Sequence, residues 1–422
     1  MVFGGFRIES IGLFLSPLFH YEFSKSIFMK QLSLALGSYI TLILLLASCN
    51  QQPNTTNQVS NVNQDSLDHI EDSIEFVETL KLRETFVAKV TADMETAPVE
   101  AHIDGDAADD PAVWYNKSNP LNSKIIGTDK KSGLVVYNLK GEELYYHKFG
   151  RMNNVDIRQD IPFNNKQLDV VVASNRTRNS LDIFTIDTTG QLTEISESPI
   201  LISTDTIDDV YGVCLYYNAE NKQLSAFING TNGVVLQFVL TENGSGKIRA
   251  KRSRMYQFSS QVEGMVADDF FGFLYVGQEE AGVFKVDAKS EAEFKPQLIA
   301  NSSETNPNLK YDLEGLSIYK SSESAGYLVV SSQGNFSYAV FDRQGDNAYL
   351  GSFAIVDGEI DGVEETDGLD VISLPFGDNY PAGFLVVQDG FNFDGTEKKA
   401  QNFKLVNWTK VQAAVDSFSG KN

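Results

Sequence analysis

Four aspartates lie close together at positions 104, 106, 109 and 110, and Pro111 then opens an apolar run. Carboxylates this dense repel one another unless a cation lies between them. Calcium suits such a set, because it accepts many oxygen ligands with loose geometry. A solvated acidic turn before a strand would have the same composition. The segment therefore indicates a calcium site only if the rest of the chain supplies further ligands.

A polar residue that leads into an apolar strand recurs six times along the chain. The copies begin at Asp110, Asn154, Asp209, Glu263, Glu314 and Asp367, at intervals of 44, 55, 54, 51 and 53 residues. A hairpin with a polar tip follows each copy. Such a period in a chain rich in Val, Tyr and Phe is typical of propeller blades. We therefore predict an all-β fold, a six-bladed β-propeller over residues 97–415, with a β-sandwich as the alternative.

The innermost strands of a propeller all begin at one mouth of its central channel, so the repeated carboxylates should converge there. So many carboxylates cannot all stay ionised without cations. His and Cys are absent from the set, which favours calcium over softer metals. We predict several calcium ions, although any single member could instead cap a turn. The candidate ligands are Asp109, Asp110, Asp156, Asp209, Glu263, Glu279, Asp312, Glu314, Asp361 and Asp367.

Basic residues interrupt this acidic pattern at two hairpin tips. Lys130 and Lys131 occupy one tip and Arg176 the other, while Arg158 follows the start of the second repeat. Arginine offers a bidentate fork for phosphate or carboxylate, and lysine a mobile point charge. Exposed turns with salt bridges are the alternative. Cations beside clustered calcium ions favour an oxyanion ligand, and phosphate is the leading candidate.

Composition excludes several other classes of function. The chain has 34 Lys and Arg against 57 Asp and Glu, a formal net charge of −23, which argues against nucleic acid and anionic membrane surfaces as partners. None of the four histidines forms a ligand-like pair, so zinc and histidine phosphatase chemistry are not supported. Cys214 lies in an apolar strand and is expected to be an inert core residue.

The N-terminal part of the chain has the pattern of a secretory signal. A lysine at position 30 precedes a mostly apolar run that ends in Leu-Ala-Ser-Cys at Cys49. This ending resembles the bacterial lipobox, in which the cysteine is lipidated; a transmembrane helix is the alternative. We therefore expect a lipid-anchored protein of the bacterial cell envelope, with its true start at Met29. Residues 50–96 are predicted to form a linker that contains a short amphipathic helix.

Two motifs carry a specific resemblance to a known family. Residues 106–114 (DAADDPAVW) and 153–158 (NNVDIR) resemble the signature motifs of the β-propeller phytases, also called alkaline or calcium-dependent phytases. The resemblance covers roughly residues 97–410. Further similar segments are 128–134, 173–176, 209–212, 262–265, 312–316, 331–335 and 366–370.

The resemblance implies a calcium-dependent phosphoric monoester hydrolase of the 3-phytase type. Its substrate would be phytate or calcium-phytate, held at two neighbouring phosphate sites. Lys130, Arg176 and Tyr211 would hold phosphate oxygens, with Lys131 and Arg158 as further substrate-binding candidates. Family members often have a lysine where this chain has Thr231. The implied ligands of the catalytic calcium ions are Asp109, Glu263, Glu279, Asp312, Glu314 and Asp361.

Two other functions remain compatible with the residues. One is a non-catalytic surface propeller that calcium stabilises, and the other is a calcium-dependent lactonase. Because no Ser, Cys or His nucleophile is indicated, we expect direct attack by water rather than a phosphoenzyme. We also expect a monomer that meets the membrane only through its lipid anchor. Phosphate release from phytate, with and without calcium and beside a lactone substrate, separates the three functions.

Overall fold

The computed structural model describes residues 76–99, 106–163, 166–395 and 397–418. The expected signal, Cys49, Asp104 and most of the expected linker lie outside the described residues. Two α-helices are present in these ranges, α1 (residues 76–85) and α2 (Trp408–Phe418). No helix in the described ranges has the length and apolarity that a membrane span requires.

Most of the described chain forms β-strands. Two short strands, β1 (Ala88–Val90) and β2 (Met94–Glu95), precede the six repeats. The first blade consists of β3 (Ala108–Trp114), β4 (Lys124–Asp129), β5 (Gly133–Asn138) and β6 (Glu143–His147). The second consists of β7 (Met152–Phe163), β8 (Lys166–Asn175), β9 (Ser180–Ile186) and β10 (Leu192–Glu194), and β11 (Ile200–Leu201) also pairs with β9. The third consists of β12 (Val210–Asn218), β13 (Gln223–Gly230), β14 (Val234–Glu242) and β15 (Ile248–Gln257).

The remaining three blades follow the same order. The fourth consists of β16 (Val262–Asp268), β17 (Phe273–Gln278), β18 (Gly282–Asp287) and β19 (Gln297–Leu298). The fifth contains β20 (Leu313–Lys320), β21 (Gly326–Ser332), β22 (Ser337–Asp342) and β23 (Tyr349–Ile355). The sixth contains β24 (Leu369–Ile372), β25 (Phe384–Asp389) and β28 (Asn402–Asn407), while the short strands β26 (Phe393–Asp394) and β27 (Glu397–Lys398) lie between β25 and β28 in sequence.

The first strands of the blades form a closed ring. Consecutive strands of each blade pair antiparallel. The innermost strands β3, β7, β12, β16, β20 and β24 contact one another in that order, and β24 contacts β3 again. This arrangement confirms the predicted six-bladed β-propeller.

The segment before residue 97 is part of the blades. Strand β2 pairs with β28 and supplies the outermost strand of the sixth blade, with Met94 opposite Leu405. Strand β1 runs parallel to β23 and adds a fifth strand to the fifth blade. Pairing between the first strands and the last blades closes the ring. Strand structure therefore begins nine residues before the expected start of the propeller, at Ala88.

Apolar side chains fill the spaces between neighbouring blades. The strands alternate inward and outward, as the two-residue period of a β-strand requires. Between the first and sixth blades, for example, Phe403 packs against Gly127, where a Cβ atom would lie 2.3 Å from the ring. Cys214 is buried in the cluster between the third and fourth blades, as predicted. This rigid packing fixes the ends of the inner strands, where the candidate site lies.

Candidate metal and phosphate site

A local irregularity at the start of the inner strands points carboxylates toward the channel mouth. The pairing register shifts in β3 between Ala108 and Pro111, in β16 between Val262 and Met265, and in β20 between Leu313 and Leu316. A β-bulge of this kind re-aims a side chain that regular alternation would place elsewhere. The bulges contain Asp109, Glu263 and Glu314.

Glycine follows Glu263 and Glu314 because the neighbouring inner strand lies against the backbone there. A Cβ atom at Gly264 would lie 1.9 Å from the carbonyl oxygen of Glu314, and one at Gly315 would lie 2.7 Å from that of Asp367. Side chains larger than hydrogen cannot fit at such distances. The repeated acidic-glycine step in the sequence thus marks the contact between successive blades.

Three buried glutamates form the centre of the mouth. Glu263, Glu279 and Glu314 each place one carboxylate oxygen within 4.8 Å of the others. The surrounding cavity encloses about 280 Å³. Its lining residues are Asp106, Lys130, Tyr211, Gln261, Glu263, Glu279, Asp312, Glu314, Gln333, Glu365, Asp367, Gln388 and Gln401.

Several buried oxygens at the mouth have no hydrogen-bond donor within the described residues. Both carboxylate oxygens of Asp109 are in this state, as are Glu279 Oε1 and Glu314 Oε2. A buried carboxylate oxygen that accepts no hydrogen bond is costly unless the group is protonated or a cation lies close to it. The oxygen-only donor set fits a hard cation such as calcium.

The same burial raises the pKa values of these carboxyl groups. Burial, and then the charge of Glu263, raises the pKa of Glu279 to about 8. Burial also raises the pKa of Asp109 and of Glu314 well above the ordinary range, and it raises the pKa of Asp312. Without a cation the cluster would retain protons near neutral pH. A cation that binds there must therefore displace them.

Lys130 lines the same cavity as the three glutamates. Its Nζ lies 2.7 Å from Asp367 Oδ2, 3.0 Å from Asp106 Oδ1 and 3.6 Å from Asp109 Oδ1. Burial alone would lower the pKa of Lys130, but the charges of Asp109, Asp367 and Asp106 raise it above its ordinary value. The ammonium group is therefore held charged beside the glutamate cluster.

Tyr211 lines the mouth cavity, and Arg176 lies against its ring. The Arg176 Nε donates to Asp209 Oδ2 at 2.9 Å, and its Nη1 donates to Asn153 Oδ1 at 3.2 Å. The guanidinium lies 5.4 Å from the centre of the Tyr211 ring. The negative charge of Glu263, followed by burial, raises the pKa of the Tyr211 hydroxyl, which therefore stays protonated and can donate. Asp209 thus orients Arg176 and is not among the residues that line the cavity.

Amide side chains complete the site, and the sequence patterns did not single them out individually. Gln333 Nε2 donates to Asp367 Oδ1 at 2.5 Å, and Gln388 Oε1 accepts from the Asp367 backbone at 2.9 Å. Asn153 Nδ2 donates to Glu263 Oε1 at 2.6 Å. Gln333 and Asn153 lie in the segments that carry the family resemblance. Gln388 has no such signal, because only its position at the end of β25 brings it here.

Two predicted metal ligands lie deeper in the channel, where they bridge neighbouring inner strands. Asp110 Oδ2 accepts from the Val155 backbone at 3.0 Å, and Asp156 Oδ2 accepts from the Leu215 backbone at 2.7 Å. Both residues line a second cavity of about 340 Å³. Their oxygens thus satisfy backbone N–H groups of the next blade, and they line a different cavity from the mouth glutamates. The metal ligation predicted for them stays a prediction.

Arg158 also lines this second cavity rather than the mouth. Its guanidinium pairs with Asp156 at 3.0 Å and with Asp269 at 2.9 Å. It also donates to the carbonyl of Leu215 at 2.8 Å. These contacts hold Arg158 between inner strands, and its role in substrate binding stays a prediction.

Asp361 and Lys131 also lie outside the set of residues that line the mouth cavity, and their predicted roles stay predictions. Lys404 Nζ lies 2.5 Å from Asp361 Oδ1 and 2.6 Å from Asp389 Oδ2, and all three side chains are buried. A protein cation thus already neutralises Asp361. Lys131 lies on the exposed tip beside Lys130 and does not line the mouth cavity.

A β-propeller whose channel mouth combines buried carboxylates with Lys and Arg has the side chains that could hold a metal cation and an oxyanion together. The chain matches the Phytase family over residues 64–420. It is 42% identical over 327 residues to the 3-phytase of Bacillus subtilis (strain 168). The aligned residues cover 76% of this chain and 84% of that protein. The chain therefore belongs to the phytase family. This confirms the resemblance that the motifs predicted and the hydrolase class that it implied.

Solved structures of other propellers are only distantly similar. The PQQ-bound aldose sugar dehydrogenase of Streptomyces coelicolor is 12% identical with a TM-score of 0.43, covering 75% of this chain and 98% of that chain. The β-propeller domain of Myceliophteria thermophila Cps50 (Swd1) is 9% identical with a TM-score of 0.39, covering 71% and 83%. Similarity this weak carries no functional implication.

Proposed function

We propose that this chain hydrolyses phytate, releasing phosphate and lower inositol phosphates, and that it depends on several calcium ions. The observation that carries the proposal is the juxtaposition of orphaned carboxylates with Lys130. Asp109 and Glu314 have buried oxygens without donors, and Lys130 lies beside them. The family match and the 3-phytase relative support phytate as the substrate.

The mouth carboxylates are the proposed ligands. Asp109, Glu263, Glu279, Asp312 and Glu314 would hold calcium, which would supply the positive charge that polarises a phosphate ester and an attacking water. The net charge of −23 would otherwise repel a polyanionic substrate. The carboxylates thus recruit the cations that make the mouth attractive to phosphate.

The basic side chains are proposed to bind phosphate oxygens directly. Lys130 can exchange its bonds to Asp106 and Asp367 for bonds to a phosphate, because its ammonium group carries three donors. Arg176, held by Asp209, offers the fork that suits two oxygens of one phosphate. The protonated Tyr211 hydroxyl adds a neutral donor beside Arg176. Donors placed in this way stabilise charge that develops on the transferring group.

The test is phosphate release from phytate by purified protein, with calcium and after chelation with EDTA. We expect release with calcium and none after chelation. Calcium-dependent stabilisation without phosphate release would indicate the non-catalytic binding protein. Turnover of a lactone but not of phytate would indicate the lactonase. Full phytate hydrolysis in EDTA would overturn the calcium proposal alone.

We further propose that Cys49 carries a lipid that anchors the protein in the bacterial cell envelope. The Leu-Ala-Ser-Cys motif after an apolar run supports this assignment. Cells that express the protein should incorporate a labelled fatty acid into it. A Cys49→Ser variant should lose the label and partition into the aqueous phase, and a wild-type protein without label would contradict the assignment.

A further inference from the structure

The helix α1 contacts the mouth ends of two blades. The ring centre of Phe76, the first helical residue that the structure describes, lies 4.5 Å from that of Phe391 and 5.8 Å from that of Phe336. Phe336 closes the turn that begins with Gln333, directly after β21, and Phe391 follows the end of β25. Both contacts lie next to side chains of the site, because Gln333 in the turn and Gln388 near the end of β25 each hydrogen-bond to Asp367.

The other end of α1 holds the segment that leads to Asp367. Arg83 Nη1 lies 2.5 Å from Glu364 Oε1 and 3.5 Å from the carbonyl oxygen of Val363. The side chains of Arg83 and Glu364 are each only 4% exposed. Glu365 and Asp367 follow at once and line the mouth. The buried ion pair between Arg83 and Glu364 therefore holds the chain segment that precedes Asp367.

The loops that α1 contacts contain strained backbone. Glu365 has φ +47° and Phe336 has φ +52°, the left-handed region that residues with side chains rarely adopt. Such conformations persist only where contacts with the surrounding structure hold them in place. Neither residue lies in a strand ladder. The helix helps to hold both conformations: Phe76 packs against Phe336 in one loop, and Arg83 pairs with Glu364, next to Glu365, in the other.

We propose that α1 braces the channel mouth and that Arg83 is a positioning residue for Asp367, a role that rests on the function proposed above. Arg83 touches neither metal nor substrate. It holds the 363–367 segment so that Asp367 meets Lys130 and Gln333. Loss of the brace loosens the carboxylates at the mouth, and the calcium requirement rises.

The test compares two buried charge pairs in the full chain. Arg83→Met with Glu364→Gln removes the brace pair while keeping its shape, whereas Arg343→Met with Asp268→Asn removes an equally buried pair. Asp268 ends β16, so it lies at the far end of the channel. Two calcium concentrations are measured. The first gives half of the maximal rise in melting temperature, and the second gives half of the maximal rate of phosphate release. We expect the brace variant to raise both by about tenfold, as the loss of an outer-shell partner does. The Asp268 control should lower the melting temperature in EDTA without changing either.

A second pair of variants leaves no buried charge behind. Phe76→Ala removes the aromatic contact of α1. Phe294→Ala removes a matched ring that stacks on Tyr256 of the third blade and meets Phe258 edge to face. Only Phe76→Ala should raise the calcium requirement. An equal calcium requirement in brace and control variants would overturn the proposal. The calcium titration of the melting temperature tests the brace even if the wild-type protein releases no phosphate. Phosphate release by the wild-type protein tests the proposed function separately.

Discussion

Lys130 and Asp367 are 237 positions apart in the chain, yet Lys130 Nζ donates to Asp367 Oδ2 at 2.7 Å. The contact exists because the sixth blade returns to the first, which places the start of β24 beside the hairpin tip after β4. It joins a cation that can bind phosphate to a carboxylate of the site. The electrostatics of the mouth therefore depend on closure of the whole ring.

Replacing Lys130 by Met should lower kcat/KM for phytate by about 10²- to 10³-fold, the usual effect of removing one donor that stabilises transition-state charge. Calcium affinity should not fall, since Asp109 and Asp367 lose a competing cation. Phosphate release and a calcium titration of the melting temperature measure the two effects. Lys251→Met, on the exposed outer strand β15, is the matched control. Equal losses of activity and calcium affinity in Lys130→Met would contradict the assigned role.

Asp109→Ala should cost little stability in EDTA but should remove most of the stabilisation by calcium, because its oxygens have no donor within the described chain. The neighbouring Asp110→Ala is the control. It leaves the Val155 N–H unpaired, so it should cost about 1–3 kcal/mol with or without calcium. Urea unfolding in EDTA and in calcium measures both. A calcium-independent loss in Asp109→Ala would show that Asp109 is structural.

The blade count and most of the mouth carboxylates could be predicted from the sequence, because strand starts recur at a regular period. The period does not tell which of two adjacent residues faces the mouth. Asp109 and Asp110 are neighbours, but the bulge sends one toward the glutamate cluster and the other toward the backbone of the next blade. A one-residue difference in direction therefore separates a candidate ligand from a structural bridge.

Contacts between distant segments could not be predicted. The roles of β1, β2 and α1 depend on where the first strands meet the last blades, and no local pattern records this. The sequence around Lys404 likewise indicates only an ordinary strand residue. In the structure, its ammonium group is buried between Asp361 and Asp389. Asp361, a predicted metal ligand, therefore has an ion-pair partner within the chain. The partners of Lys404 are 43 and 15 positions away in the sequence.

Metal-free protein should lose stability as the pH rises from about 4.5 to about 8. Burial raises the pKa of Glu279 from 4.5 to about 8 and that of Asp367 from 3.8 to about 6. The folded state therefore binds these protons more tightly than the unfolded state does. The resulting stability is fully present below the unfolded pKa values and is lost as the pH passes through the folded ones.

Urea unfolding in EDTA across this pH window tests the effect, and calcium should flatten the profile because the cation replaces the protons. Glu279→Gln, which cannot ionise, should also have a flatter profile in EDTA. Stability that increased over the same window in EDTA would show that these carboxyl groups are not the dominant titrating groups.

Asp156→Ala distinguishes a bridge between strands from a metal ligand. Asp156 accepts from the Leu215 backbone and pairs with Arg158, so its loss should cost about 1–3 kcal/mol through the unpaired N–H. The cost should be equal in EDTA and in calcium, and kcat/KM for phytate should stay within about twofold, because no bond to the mouth is lost. Urea unfolding and phosphate release measure the two quantities. A loss of stability confined to calcium-containing buffer would instead support the metal ligation that the sequence pattern predicted for Asp156.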